Sequence, residues 1–340
     1  MNKQIIITDP HPRTLELIFR NKTLRKLKKK YLLIKVPKKN KKSFYEQNIH
    51  RATFIIGQPN LPTSLLTKAV KLKAIFNVES NFIHNMDYDY CFKNNIYVLS
   101  TSPVFAQPVA ELALGLTLSL LRQIHESHQS FKDKNEKYGL EGNKRAQLLN
   151  GKKIGLIGFG DLAKSLLPLI KPFTNKISVY DPWLNNKLIK KKGLFPVSLN
   201  NLLKNSDIIY VLATSTTENK EFLNIKKLNL IKKGGFFILM SRASLVKFSD
   251  LIKKIKKGDL NVAIDVFPNE PVSLNDPIRK LENVVFSAHR AGAIAETFKN
   301  MGEIVLNDME KISKNLSPKF CKRANLQTVN LLRSKPVDIS

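Results

Sequence analysis

Cysteine is nearly absent from this chain: Cys91 and Cys321 are the two in 340 residues. Two thiols cannot build a disulfide framework, and no Cys-x-x-Cys pair occurs. A reducing cytoplasm is the expected setting, and no metal is expected. Acidic residues are also scarce, 27 against 57 Lys and Arg, which leaves a net charge of +30. Such an excess can mark a nucleic-acid binder. Here the basic residues are spread along the whole chain, only 11 of the 57 are Arg, and no Arg clusters interleave with aromatics. The lysines read as solvated surface, and no nucleic-acid partner is expected. The densest run, Lys22 to Lys42, reads as a helix face and a loop flanking a strand. Long apolar runs are missing too. Val109 to Leu121 is the most apolar segment, but it contains Glu111 and reads as too short to span a bilayer. The run Ile5–Ile7 is too short for a signal peptide. No membrane partner is expected.

What remains is an ordinary globular composition, 43% hydrophobic, in a chain long enough for about two domains. Strand-like and helix-like segments alternate, which predicts an α/β fold with parallel sheets. Strands are expected at Ile5–Thr8, Leu32–Val36, Thr53–Ile56, Ala74–Val78 and Ile96–Leu99, with a helix over Thr14–Lys30. A long helix is expected over Pro108–Gln129. Its apolar residues cover most of its circumference, so it should cross a domain interface or meet a partner subunit. Alternation resumes at Ile154 and ends in a helix over Ala293–Lys314. The expected layout is a central α/β domain over residues 106–299, inserted in a flavodoxin-like domain made of 1–105 and 300–340.

The segment Gly151 to Trp183 carries the clearest signal. A short apolar strand, Ile154–Ile157, runs into Gly158-Phe-Gly160-Asp-Leu-Ala163, then a helix, then a second strand ending at Asp181. Gly158 allows the tight turn, Gly160 lets the backbone approach a pyrophosphate, and Ala163 lets helix pack on strand. The helix N-terminus favours phosphate. Asp181, 18 residues past Ala163, is placed for the adenosine ribose hydroxyls and against a 2′-phosphate. NAD is therefore the expected cofactor, which makes residues 106–299 the expected Rossmann NAD-binding domain and the domain around it the expected substrate domain. Gly158, Gly160, Asp161, Leu162 and Asp181 are its candidate contacts, joined by Ala213, Met240, Ser241, Asp265, His289 and Gly292 at the ends of later strands.

Three polar residues follow predicted strands in the second half: Arg242, Glu270 and His289. Reducing a 2-keto acid needs a cation for the carboxylate and a proton donor for the ketone oxygen. Arg242 offers a planar fork. His289 can give and take the proton. Glu270 can hold the other imidazole nitrogen, and Asp265 is placed to face the nicotinamide.

These motifs resemble those of the D-isomer-specific 2-hydroxyacid dehydrogenases. Ser241-Arg242-Ala-Ser-Leu-Val resembles the family's N-x-x-R-G-x-x-V, Asp265-Val-Phe-Pro-Asn-Glu270-Pro271 its D-V-F-x-x-E-P, and Ser287-Ala-His289-Arg-Ala-Gly292 its T-P-H-x-x-G. Val109-Ala-Glu111 resembles its V-A-E segment. The resemblance implies that Arg242, Glu270 and His289 are the catalytic set. It also implies a homodimer built around the long helix, and a small 2-hydroxy or 2-keto acid substrate bound between two closing domains. A non-enzymatic, NAD-sensing partner protein of corepressor type is the alternative it leaves open. The loop that receives the substrate carboxylate usually reads G-x-G in this family. Here it is Val78-Glu-Ser-Asn-Phe82, so Glu79, Ser80 and Asn81 become candidate substrate contacts. Phe82 and Glu79 are expected to alter the pocket's shape and charge.

Overall fold

Apolar, β-branched and aromatic residues set the strands. In the computed structural model, which describes residues 3–79, 81–326 and 329, two units are distinguished. One comprises residues up to Phe105 together with those from Ala293 onward, and the other runs from Ala106 to Gly292.

The first unit holds β1 (Ile5–Asp9), β2 (Leu32–Lys35), β3 (Ala52–Gly57), β4 (Ala74–Asn77) and β5 (Tyr97–Ser100). They pair in parallel in the order β5-β4-β3-β1-β2, and a short strand, Lys322–Arg323, joins β5 antiparallel. β3 and β4 are buried along their whole length, as expected where helices cover both faces of a sheet. The expected helix over Thr14–Lys30 is broken into α1 (Leu15–Ile18) and α2 (Asn21–Lys30) by extended backbone at Phe19 and Arg20. Neighbouring residues on one helix point about 100° apart. The break lets Ile18 and Phe19 both reach the core, where each is fully buried.

The second unit contains β6 (Ile154–Ile157), β7 (Ile177–Tyr180), β8 (Phe195–Pro196), β9 (Ile208–Val211), β10 (Gly235–Leu239), β11 (Leu260–Ile264) and β12 (Val284–Phe286). Their order is β12-β11-β10-β9-β6-β7-β8, all parallel. Successive side chains go to opposite faces. Ile208 and Tyr210 join one hydrophobic core and Ile209 and Val211 the other.

The long helix of the sequence reading is also divided. α3 (Ala106–Arg122) ends at Gln123, which is left-handed at φ 53, and α4 (Ile124–Lys132) follows. The Leu121 carbonyl there accepts the Gln147 N–H at 2.7 Å. By length and composition Ser102–Arg122, with mean hydropathy 1.6, suffices to cross a membrane, which corrects the expectation that it is too short. Its apolar character serves packing. Val109, Ala110, Ala113 and Leu121 share the core of the second unit with Ala163 and Leu166 of α5 (Asp161–Ile170). The closing helix, α6 (Ala295–Ser313), buries Met301, Val305 and Met309 against Phe19 and Phe54 of the first unit.

Asp207 ties the start of β9 to that of β6. Burial pushes its carboxyl up. The Lys232 ammonium at 2.6 Å, the Lys153 N–H at 2.9 Å and the Lys152 charge outweigh burial and hold it below the usual carboxylate range. A folded-state value below the unfolded one gives stability that is complete above about pH 4 and is lost as the pH falls through the folded value. Asp207→Asn should therefore cost about 1 kcal/mol in urea denaturation at pH 7. The gap from wild type should narrow progressively as the pH falls below about 4 and on through the folded value.

Candidate active site

Parallel pairing brings the sequence candidates to one edge of the second sheet, because each follows the C-terminal end of a strand. The strand order reverses between β6 and β9, the place where ligands of open α/β sheets bind. Gly158 leaves β6 there at φ +88, and a Cβ on it would lie 2.6 Å from the Ala213 Cα. Ala213, after β9, thus shapes the turn. Gly160 precedes α5 with extended backbone; a Cβ there would meet nothing within 4 Å, and no side chain caps the helix. The N-terminal N–H groups of a helix point away from its own turns. Leu162 is half-buried against the core, and Ala163 is fully buried.

Asp181 holds this turn together. Its Oδ2 accepts the Phe159 N–H at 2.8 Å and its Oδ1 the Trp183 N–H at 2.9 Å. A carboxylate has about four acceptor positions, so both oxygens retain capacity for ribose hydroxyls. A cavity of about 620 Å³ opens beside Asp181, lined by Tyr180, Leu184, Asn185, Val197 and Ser198 among others. These residues fit a dinucleotide: a glycine cradle, an uncapped helix start and an acceptor beside a cavity.

Beyond β10, Met240 and Ser241 are buried, and the Ser241 hydroxyl has no hydrogen-bond partner among the described residues. Arg242 is extended and half-buried, and its Nη1 donates to the Ser241 carbonyl at 2.7 Å. Beyond β11, Asp265 departs from its expected role of facing the nicotinamide. It is 1% exposed, and its carboxylate accepts the N–H groups of Arg290 at 3.0 Å and Ala291 at 3.4 Å. Its own carbonyl accepts the His289 N–H at 2.7 Å. These bonds fix the loop after β12, in which His289 is left-handed at φ 50, and Gly292 ends this unit. The His289 Nδ1 lies 2.5 Å from Glu270 Oε2, while Glu270 Oε1 accepts the Phe267 N–H at 2.8 Å. The imidazole is thereby oriented through one nitrogen, and its ring remains half exposed. Glu270 and His289 meet as a pair; Arg242 stands on the same sheet edge, after the strand on the far side of β11.

In the first unit, the Val78–Asn81 loop follows β4, and Ser80 lies outside the described residues. The Asn81 carbonyl accepts from Asn77 Nδ2 at 3.0 Å, and the Glu79 N–H donates to Asn77 Oδ1 at 2.8 Å. Phe82 does not reshape a pocket as expected. It is 3% exposed, packed in the core and edge-on to Tyr88 at 6.5 Å. Nor does Glu79 present a lone charge, since Arg13 Nη1 stands 2.5 Å from its Oε1. Arg13 and Gln58, which both hold this loop, escape the sequence reading. Their only signal is a position just past the ends of β1 and β3.

The two glycines should separate by variant. Gly158→Ala collides with backbone at positive φ, so it should lower both thermal stability and NAD affinity. Gly160→Ala has room and an ordinary φ. Its melting temperature should stay near wild type while NAD binding, followed by calorimetry, weakens roughly tenfold or more through loss of close backbone approach.

Residues 114–291 match the family model described as "D-isomer specific 2-hydroxyacid dehydrogenase, NAD binding domain". The chain is 31% identical to the glyoxylate reductase of Thermococcus litoralis over 80% of its own length and 82% of that protein's. Among solved structures, a phosphoglycerate oxidoreductase from Rhizobium etli is 40% identical, with a TM-score of 0.88 over 95% of this chain and 99% of that one. A D-lactate dehydrogenase from Aquifex aeolicus, complexed with NAD and lactic acid, shares the fold at 23% identity, with a TM-score of 0.66 over 92% and 96%. The chain belongs to the D-isomer-specific 2-hydroxyacid dehydrogenases, NAD-dependent oxidoreductases that pass a hydride between nicotinamide and a small 2-hydroxy or 2-keto acid.

Proposed function

We propose that this enzyme reduces a short 2-keto acid of the glyoxylate type, with Arg242, Glu270 and His289 as its catalytic set. The observation that carries the assignment is the 2.5 Å contact between Glu270 and His289, braced by the Phe267 N–H. The cofactor supplies the hydride when bound. Arg242 binds the substrate carboxylate and polarises the ketone. His289 delivers a proton from Nε2 to the ketone oxygen as C2 accepts the hydride, and in the oxidative direction it takes the proton back. Glu270 holds Nδ1, so that Nε2 faces the substrate. Asp265 acts one step removed, by fixing the backbone that carries the imidazole. Gly158, Gly160, Asp161 and Leu162 hold the pyrophosphate, and Asp181 the adenosine ribose. Ala213, Met240, Ser241 and Gly292 line the cofactor. Glu79, Ser80 and Asn81 form the substrate loop of the first unit, which serves as the substrate domain.

The active form is a homodimer in this reading. Ile124, Phe131, Tyr138, Leu140 and Leu148, which follow α3, are exposed apolar side chains that a second copy would cover. Both cysteines are free and buried, which suits a reducing cytoplasm.

His289→Ala should lower kcat by about two to four orders of magnitude in an NADH-oxidation assay with glyoxylate and hydroxypyruvate. Arg242→Lys keeps the charge but loses the two-pronged geometry, so kcat/KM should fall sharply while NADH affinity holds. Near-normal turnover in His289→Ala, or no turnover by wild type on any short keto acid, would remove the assignment.

A further inference from the structure

Glu79 poses a physical problem for the first unit. In its sheet the strand order reverses between β1 and β3, and ligands of such sheets gather outside the strand C-termini at that point. A carboxylate beside a loop that receives another carboxylate would repel it, most strongly where water is partly excluded. The structure supplies the counter-charge from the segment after β1. Arg13 Nη1 sits 2.5 Å from Glu79 Oε1, and the two side chains are only 14% and 23% exposed. The same nitrogen donates to the Val78 carbonyl. The guanidinium lies over the Phe298 ring, 5.4 Å from its centre, so a second contact fixes it independently of Glu79. Gln58 holds the other side of the loop: its Oε1 accepts the Val78 N–H at 3.3 Å, and its Nε2 donates to the His11 carbonyl at 2.8 Å.

We propose that Arg13 is a positioning residue of the substrate loop, which fixes and neutralises the Glu79 carboxylate so that the backbone at Val78, Glu79 and Asn81 accepts the carboxylate of a 2-keto acid. The proposal rests on the assignment of that loop to substrate. A counter-charge differs from a mechanical clip in the sign of what each partner does. Removing Arg13 leaves a bare negative charge beside the anion. Removing the charge of Glu79 leaves a bare positive one.

The test measures oxalate affinity of the NAD-loaded enzyme by calorimetry, together with KM and kcat for glyoxylate. It compares wild type with Arg13→Met, Arg13→Lys, Glu79→Gln and the Met/Gln double variant. Arg13→Met should weaken oxalate binding and raise KM roughly tenfold, with kcat changed far less. Arg13→Lys should stay close to wild type. Glu79→Gln should shift affinity the opposite way, tightening it roughly threefold, and the double variant should recover most of the loss. Should Glu79→Gln weaken binding as Arg13→Met does, or the double variant be no better than Arg13→Met, the pair is a structural clip and the proposal falls. Should Arg13→Met fail to fold, the direction of the Glu79→Gln shift still decides. A wild type that binds oxalate without reducing glyoxylate would refute the enzymatic assignment and leave the variant affinities to judge Arg13. A wild type that binds no oxalate overturns the proposal.

Discussion

Parallel strand pairing is the constraint on which this molecule depends. Every paired strand of the second sheet runs the same way, so residues that follow strands far apart in the chain come out at one edge. Gly158, Asp181, Ala213, Arg242, Asp265 and His289 each follow a different strand of that sheet. The site therefore needs no long-range side-chain recognition to assemble. It follows from packing apolar strands between two hydrophobic cores, and hydrophobic burial drives that packing.

Assembly at an edge does not fix orientation, and here backbone amides do that work. Three carboxylates are engaged by main-chain N–H groups: Asp181 by Phe159 and Trp183, Asp265 by Arg290 and Ala291, and Glu270 by Phe267. Hydrogen bonds to a charged acceptor are stronger than those between neutral groups. Each bond joins two segments of a turn or two neighbouring loops. His289 adopts a left-handed conformation that is uncommon for a side-chain-bearing residue, and the two faces of Asp265, carbonyl and carboxylate, hold it there. A rigid, oriented imidazole is what the proposed proton transfer to a ketone oxygen requires.

The first unit shows how a departure from a family pattern can be absorbed. Phe82 in place of a small residue turns into the core, and Glu79 acquires Arg13 as a partner. Neither substitution acts alone on the loop, and each is accommodated by a neighbour from elsewhere in the sequence.

Local order along the chain fixed most of the architecture. Short continuous apolar runs placed the sheet strands, apart from the two-residue β8 and Lys322–Arg323, which are too short to leave such a run. The Gly158 turn, Asp181 and the Glu270 and His289 candidates were legible because each is bound to a strand end by its immediate neighbours. Tertiary contacts decided the rest. Helix breaks at Phe19 and Gln123 carry no glycine or proline and arise from what the flanking residues bury or bond. The inward turn of Phe82, the engagement of Asp265 by a distant loop and the Arg13–Glu79 pair are likewise set by residues remote in sequence. A sequence lists each side chain with its own neighbours, whereas charge compensation and burial depend on which remote surfaces the fold presses together.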